Sequence, residues 1–159
     1  MNGVMELHGI LTPIERKEII SVIDSSKIQQ TGLMDNPDIA FRYENMLLHR
    51  LPGVVELSDM VVIPTGISPI IRIGKLTHAS APFAFNKVAS DHYLTLEVFL
   101  NSITVGGELC FRNECVSCTG GNAVMYDQRK QRYDKEFYPP DIKYYVAFHV
   151  IGSRIPIKQ

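Results

Sequence analysis

The run Tyr93-Leu-Thr-Leu-Glu-Val-Phe-Leu100 alternates, with Leu94, Leu96, Val98 and Leu100 on one side of an extended chain and Tyr93, Thr95, Glu97 and Phe99 on the other. A two-residue period of this length predicts a strand packed on a core along its apolar face. Lys143-Tyr-Tyr-Val-Ala-Phe-His-Val150 is a second strand, on which Lys143 and His149, six residues apart, share a face. After the first run, Gly106-Gly107 can take the positive φ of a tight reversal, so residues 108–111 are expected to return beside it as a hairpin. Gly120-Gly121 reads as a turn before a further strand.

Working outward, Thr12-Pro13-Ile14-Glu15 is a capping box with proline at the first helical position, and Ile19, Ile20, Val22 and Ile23 give the helix an apolar side that ends near Ser25-Ser26. Residues 26–38 are polar, hold Gly32 and Pro37, and read as a loop. Asn36-Pro37-Asp38 opens a second helix with Ile39, Tyr43, Met46 and Leu47 on one face, stopped by Pro52-Gly53. Residues 60–63 and 70–73 read as strands separated by the turn-rich Pro64-Thr-Gly-Ile-Ser-Pro69. Helices confined to the first third and strands elsewhere predict an α+β fold, with two facing antiparallel sheets and the helices braced on one of them.

At 159 residues, 45% apolar and 21% charged, the chain is expected to form a single domain over 1–159. A net charge of −1 gives no long-range pull toward nucleic acid or an anionic membrane. The basic cluster Arg129-Lys-Gln-Arg132 is interleaved with Asp127, Asp134 and Glu136 and reads as a solvated loop. The opening Met-Asn-Gly-Val-Met-Glu lacks a basic segment followed by an apolar run, and no apolar stretch approaches the ~18 residues of a membrane span. Cys110, Cys115 and Cys118 are an odd number in nine residues, which argues against a secreted disulfide framework and for reduced thiols packed as small hydrophobes. A cytoplasmic location is the expectation. The alternative use of these cysteines, as three zinc ligands, lacks a second closely spaced pair.

The order of the strand motifs resembles a known family. A strand leading through Gly74-Lys-Leu-Thr-His78-Ala-Ser80, then Leu94-Thr-Leu-Glu-Val-Phe-Leu-Asn101, Gly106-Gly-Glu-Leu-Cys-Phe111, Gly121-Asn-Ala-Val-Met-Tyr126 and a final strand opening with Lys143 is similar to the double-stranded β-helix, or jelly-roll, core of the prolyl 4-hydroxylase type of 2-oxoglutarate and iron(II) dependent oxygenases. The resemblance implies that core, with the two N-terminal helices bracing its larger sheet.

It also implies a site. Members of the family hold iron(II) with a His-x-Asp/Glu pair and a distant His, leaving positions open for 2-oxoglutarate and oxygen. Here the pair falls on His78-Ala79-Ser80, so His78 is a vestigial metal ligand and the carboxylate is replaced by serine. The distant His is expected near Tyr133 or Asp134, but no histidine occurs between His92 and His149. His149 matches no family ligand and reads as a core histidine. Lys143 stands where the family places the base that pairs with the far carboxylate of 2-oxoglutarate; read without the resemblance, it is a solvated lysine at a strand end.

With at most one of three iron ligands retained, no catalytic residue is assigned and no cofactor is expected. The chain reads as an inactive relative of the prolyl hydroxylases, of the trimmed kind that resembles copies carried by some large DNA viruses, acting through a protein partner or as a homo-oligomer. Strand edges and loops at 80–90 and 129–140 surround the expected site, and Phe83 and Phe85 are the apolar anchors expected in the contact. The competing reading is an active oxygenase using Fe(II) and 2-oxoglutarate with substituted ligands. A structural, self-assembling protein on the same sheet is the third.

Overall fold

The computed structural model describes residues 3–26, 32–35, 37–57, 60–84 and 92–156. Its elements in chain order are β1 (Val4–Leu7), α1 (Pro13–Ser25), β2 (Gly32–Asp35), α2 (Pro37–Arg50), β3 (Val55–Leu57), β4 (Met60–Ile67), β5 (Ile70–Leu76), β6 (His92–Phe99), β7 (Leu109–Cys110), β8 (Cys115–Val116), β9 (Ala123–Asp127), β10 (Tyr133–Asp134) and β11 (Lys143–Pro156). The capping box forms as read: Thr12 Oγ1 accepts the Glu15 N–H at 3.3 Å and Glu15 Oε1 accepts the Thr12 N–H at 2.7 Å. Two donors that α1 could not satisfy internally are thereby paired. None of the helices among the described residues is long and apolar enough to cross a membrane.

The strands form a larger sheet in the order β1-β9-β6-β11-β4-β3, with β5 joining β11 and β2, and a smaller one in the order β10-β7-β8. Every pairing is antiparallel. β11 is the spine. Tyr145, Val146 and Ala147 pair with β5 and also with β6, while Val150 and Ile151 pair with β4 and also with β6. Hence β4 and β5 lie end to end along the same edge of β11, opposite β6. The expected turn at 64–69 shrinks to Ser68-Pro69, where the Ser68 N–H still donates to the His149 carbonyl at 2.9 Å. Pro64 is absorbed into β4 opposite Gly152, at a register shift, as a residue without an N–H must be.

Three further expectations are corrected. Residues 26–38 are not all loop, since β2 pairs with β5. Residues 108–111 do not return beside β6, whose neighbours are β9 and β11; β7 belongs to the smaller sheet and its hairpin partner is β8. Positive φ at Gly106 (79°) and Gly107 (73°) does turn the chain there, but toward residue 136: the Gly107 N–H donates to the Glu136 carbonyl at 3.3 Å and the Lys135 N–H to the Glu108 carbonyl at 2.9 Å. The thiols of Cys110 and Cys115 are not reduced. These residues face each other across the β7–β8 pair, with Cα atoms 4.0 Å apart, and form a disulfide. That removes both the zinc reading for this pair and the free-thiol argument for a cytoplasmic location. Cys118 stays free and buried, its thiol donating to the Asn101 carbonyl at 3.3 Å. Burial pushes that thiol up to about 11, which leaves it a poor nucleophile.

The core has two layers. Ile19, Ile23, Tyr43 and Leu47 of the helices pack on Leu94, Leu96, Val98, Leu100, Val146, Phe148 and Val150, the outer face of the larger sheet. Phe99, Leu109, Phe111, Tyr126, Phe137 and Tyr145 fill the interior between the sheets, which curl into a nearly closed barrel. β6 is therefore buried on both faces: Thr95, Glu97 and Phe99, on its polar side, are as inaccessible as its leucines.

The turn glycines offer a test. A Cβ on Gly106 would run into the Glu136 carbonyl oxygen, whereas one on Gly9, also at positive φ (63°), meets nothing within 4 Å. Urea denaturation is expected to show a loss of about 3 kcal/mol for Gly106→Ala and about 1 kcal/mol for Gly9→Ala.

Candidate functional site

Parity of the strands carries charge into the barrel. On β6, Glu97 lies between Thr95 and Phe99 on the inner face; on β11, Lys143 shares the inner face with Tyr145, Ala147 and His149. Arg132 and Asp134, two residues apart around the start of β10, face inward together from the other sheet. Glu97, Arg132, Asp134 and Lys143 are all 0% exposed. Two carboxylates meet two cations in this fully buried set, and the half-buried Arg72 of β5, near enough to act on Arg132 and Glu97, adds a positive charge at its margin.

The contacts form one network. Arg132 Nε donates to Glu97 Oε1 at 3.1 Å and Arg132 Nη2 to Glu97 Oε2. Glu97 Oε1 also accepts the Tyr126 hydroxyl at 2.8 Å. On its other side Arg132 donates from Nη1 to Asp134 Oδ2 at 2.5 Å and from Nη2 to Asp134 Oδ1 at 3.0 Å. Lys143 Nζ donates to Asp134 Oδ1 and, at 2.9 Å, to the Gly107 carbonyl. Ser80 Oγ donates to Asp134 Oδ2 at 2.8 Å and accepts the Asp134 N–H at 2.7 Å. Aromatic faces close the shell: the Arg132 guanidinium lies 5.0 Å from the Phe83 ring centre and 5.8 Å from that of Tyr145, and the Lys143 ammonium 5.4 Å from that of Phe99.

Protonation follows from this packing. Burial acts to raise the Asp134 carboxyl, but Arg132 and Lys143 outweigh it and hold the group below its ordinary value of 3.8. Burial acts to lower Arg132, and the carboxylates of Glu97 and Asp134 hold it well above its usual range instead. Burial, reinforced by Glu97, drives the Tyr126 hydroxyl well above the ordinary tyrosine range, so it stays a donor.

The residues singled out from the sequence are thus only partly brought together. Ser80 and residue 134, two of the positions expected to flank a metal, do meet, and of Tyr133 and Asp134 it is Asp134 that faces Ser80. His78 is exposed, with Nδ1 3.1 Å from Thr77 Oγ1. His149 is buried beside Thr95 on the inner face. Lys143 is not the solvated lysine of the reading without the resemblance, nor is Arg132 part of a solvated loop, because each has a buried carboxylate to pair with. Phe83 is half-buried. Its N–H donates to the Arg132 carbonyl at 2.9 Å and its carbonyl accepts the Arg132 N–H at 2.8 Å, so this edge is already paired within the chain. Phe85 lies outside the described residues. Sequence reasoning missed Glu97 and Arg132 as site residues; the available signal was a carboxylate in the middle of an apolar strand together with an Arg-x-Asp pair of matching parity.

No protein-family model and no curated relative matches the chain. Its fold does have solved counterparts. It is similar to a prolyl hydroxylase from Trichoplax adhaerens in complex with a hypoxia inducible factor oxygen degradation domain peptide fragment, with a TM-score of 0.65 and 14% identity over 95% of this chain and 84% of that one. It is also similar to the viral collagen prolyl hydroxylase of Paramecium bursaria Chlorella virus-1, with a TM-score of 0.59 and 10% identity over 96% and 90%. A third counterpart is HygX from Streptomyces hygroscopicus, with nickel and 2-oxoglutarate bound, with a TM-score of 0.62 and 12% identity over 94% and 83%. The chain therefore has the double-stranded β-helix fold of the prolyl hydroxylases and 2-oxoglutarate oxygenases.

The donor set does not fit the iron and co-substrate that such a fold can hold. Both oxygens of Asp134 already accept two hydrogen bonds each, Ser80 is a neutral hydroxyl engaged with the same aspartate, and the Lys143 ammonium is paired inside the barrel. Among the described residues no three His, Cys, Asp or Glu side chains form a group that could hold a metal ion.

Because the folded-state value of Asp134 lies below the unfolded one, its contribution to stability is complete above pH 3.8 and is lost as the pH falls through the folded value. Lys143→Met removes one of the cations holding it down, so acid unfolding followed by circular dichroism is expected to begin at higher pH than in the wild type. Arg132→Met, which takes the shared guanidinium from two buried carboxylates and leaves Glu97 with only the Tyr126 hydroxyl of this network, is expected to cost about 3–5 kcal/mol.

Proposed function

We propose that this chain is a non-catalytic member of the prolyl hydroxylase-like fold that works by binding, to a protein partner or to a second copy of itself. The observation that carries the proposal is the Asp134 carboxylate, bonded to Arg132, Lys143 and Ser80 inside the barrel. A buried ammonium already matched to an internal carboxylate has no charge left over to recruit a free diacid, and exchanging partners would require desolvating the incoming ligand for little gain. The hydroxyl of Ser80 supplies neither the charge nor the strong oxygen donor that a hard divalent cation needs.

Binding is what the remaining surface supports. The Phe83 ring is half-buried over Arg132 at the rim of the barrel, and a ring so placed can anchor a partner while its backbone stays paired within the chain. Phe85, two residues on, is proposed for the same contact.

Two measurements test the two parts. Anaerobic titration of the purified protein with Fe(II) and 2-oxoglutarate is expected to give no metal-to-ligand charge-transfer band, and aerobic incubation no succinate; tight binding with turnover would establish the oxygenase reading instead. Light scattering after size exclusion is expected to show an assembly larger than the monomer, alone or with its partner. Phe83→Asp should weaken it at least about tenfold, corresponding to loss of an anchor of roughly 1.4 kcal/mol or more, with an unchanged far-ultraviolet spectrum.

A further inference from the structure

We infer that Arg132, Lys143 and Ser80 form a carboxylate-binding site whose ligand is the chain's own Asp134, and that the site accepts free formate once that side chain is shortened. It shares with the proposed function the reading that the barrel interior is occupied by the chain itself, and adds which ligand chemistry the interior is built for.

The donors are held in place independently of the carboxylate they serve. Arg132 is gripped on one side of its guanidinium by Glu97, and its backbone is fixed by the paired hydrogen bonds to Phe83. Lys143 Nζ donates to the Gly107 carbonyl and sits over the Phe99 ring. Ser80 Oγ accepts the backbone N–H of residue 134, a bond that any side chain there would keep. β10 itself is fixed by its pairing with β7, Asp134 opposite Leu109. Shortening Asp134 would thus leave two N–H groups of one guanidinium, an ammonium and a hydroxyl converging on an empty volume, already oriented.

Charge and size then specify the ligand. Without the aspartate, the fully buried set is Arg132, Lys143 and Glu97, one positive charge in excess, to which the half-buried Arg72 guanidinium adds, and an uncompensated buried charge strongly favours uptake of an anion. The planar two-oxygen acceptor that matches a guanidinium edge is a carboxylate. Asp134→Ala removes one carboxylate group and keeps the Cβ, so the volume released is that of formate, and acetate carries a methyl group too many. In the wild type the tethered group holds the site at an effective concentration that free carboxylates do not match.

The experiment is thermal unfolding of full-length wild type, Asp134→Ala, and Asp134→Ala with Lys143→Met, in sodium formate, acetate or chloride at matched ionic strength. Formate is expected to raise the Tm of Asp134→Ala saturably by about 5 °C over chloride, acetate by less, and neither is expected to move the other two proteins. If Asp134→Ala does not fold in chloride, recovery of its far-ultraviolet spectrum on refolding in formate becomes the readout. No shift or recovery in formate, or an equal shift in all three proteins, would overturn the inference. The wild-type titration with Fe(II) and 2-oxoglutarate is a separate result, so an occupied interior that is not a carboxylate seat is distinguishable from an interior open to co-substrate.

Discussion

Two acidic and two basic side chains share one buried core, and the rest of the architecture is constrained by the need to keep them matched. Each buried ion gives up several kcal/mol of hydration, which is repaid only if every partner sits at hydrogen-bonding distance. Glu97 and Lys143 come from β6 and β11 of the larger sheet; Arg132 and Asp134 come from the β10 region of the smaller one. The network is therefore a polar bond between the two sheets, set among the apolar contacts of Phe99, Leu109, Phe111, Phe137 and Tyr145. A slip of β6 by one residue would turn Glu97 toward the helices and Leu96 or Val98 toward Arg132, exchanging satisfied charge for stranded charge on both faces. Register is thus specified twice on β6, by the leucines packing on α1 and α2 and by the glutamate on the other side.

The same network bears on chemistry. In a double-stranded β-helix the barrel interior is where a ligand can be enclosed, and here the interior positions contributed by Ser80, Asp134 and Lys143 bond to one another. A cation brought to Asp134 would have to displace Arg132, because the adjacent guanidinium already holds the lone pairs that a cation would use. Three groups of the interior lie away from the range in which proton transfer near neutral pH is efficient: Asp134 is pulled down by its cations against its burial, Arg132 is held up by Glu97 and Asp134 against its burial, and Tyr126 is pushed up by burial and by Glu97.

Local signals were legible without coordinates. The Thr12/Glu15 capping box, the end of α1 at Ser26, the apolar face of α2, the positive-φ glycines at 106, 107 and 121 and the alternation of β6 and β11 are written in residues a few positions apart, and short-range sterics and hydrogen bonding suffice to read them. The order of the strand motifs carried the fold class as well. What remained undetermined was which distant segments meet. Pairing of β7 with β8 and β10 rather than with β6, the Cys110–Cys115 disulfide, and the insertion of Pro64 opposite Gly152 all depend on long-range closure of the sheets.

Burial of the charged residues belongs to that second class. By itself, alternation identifies two faces of β6 without saying that both are covered, and a glutamate or lysine at a strand position is ordinarily solvated. Glu97 and Lys143 are buried because the smaller sheet closes over them and brings Arg132 and Asp134 to meet them, across separations of 35 and 9 residues. The chain by itself determined its two helices, the alternating strands β6 and β11 and the kind of barrel they build. Only the tertiary structure decided what fills that barrel, since the free energy of a buried ion depends on partners that a local reading of the chain does not bring beside it.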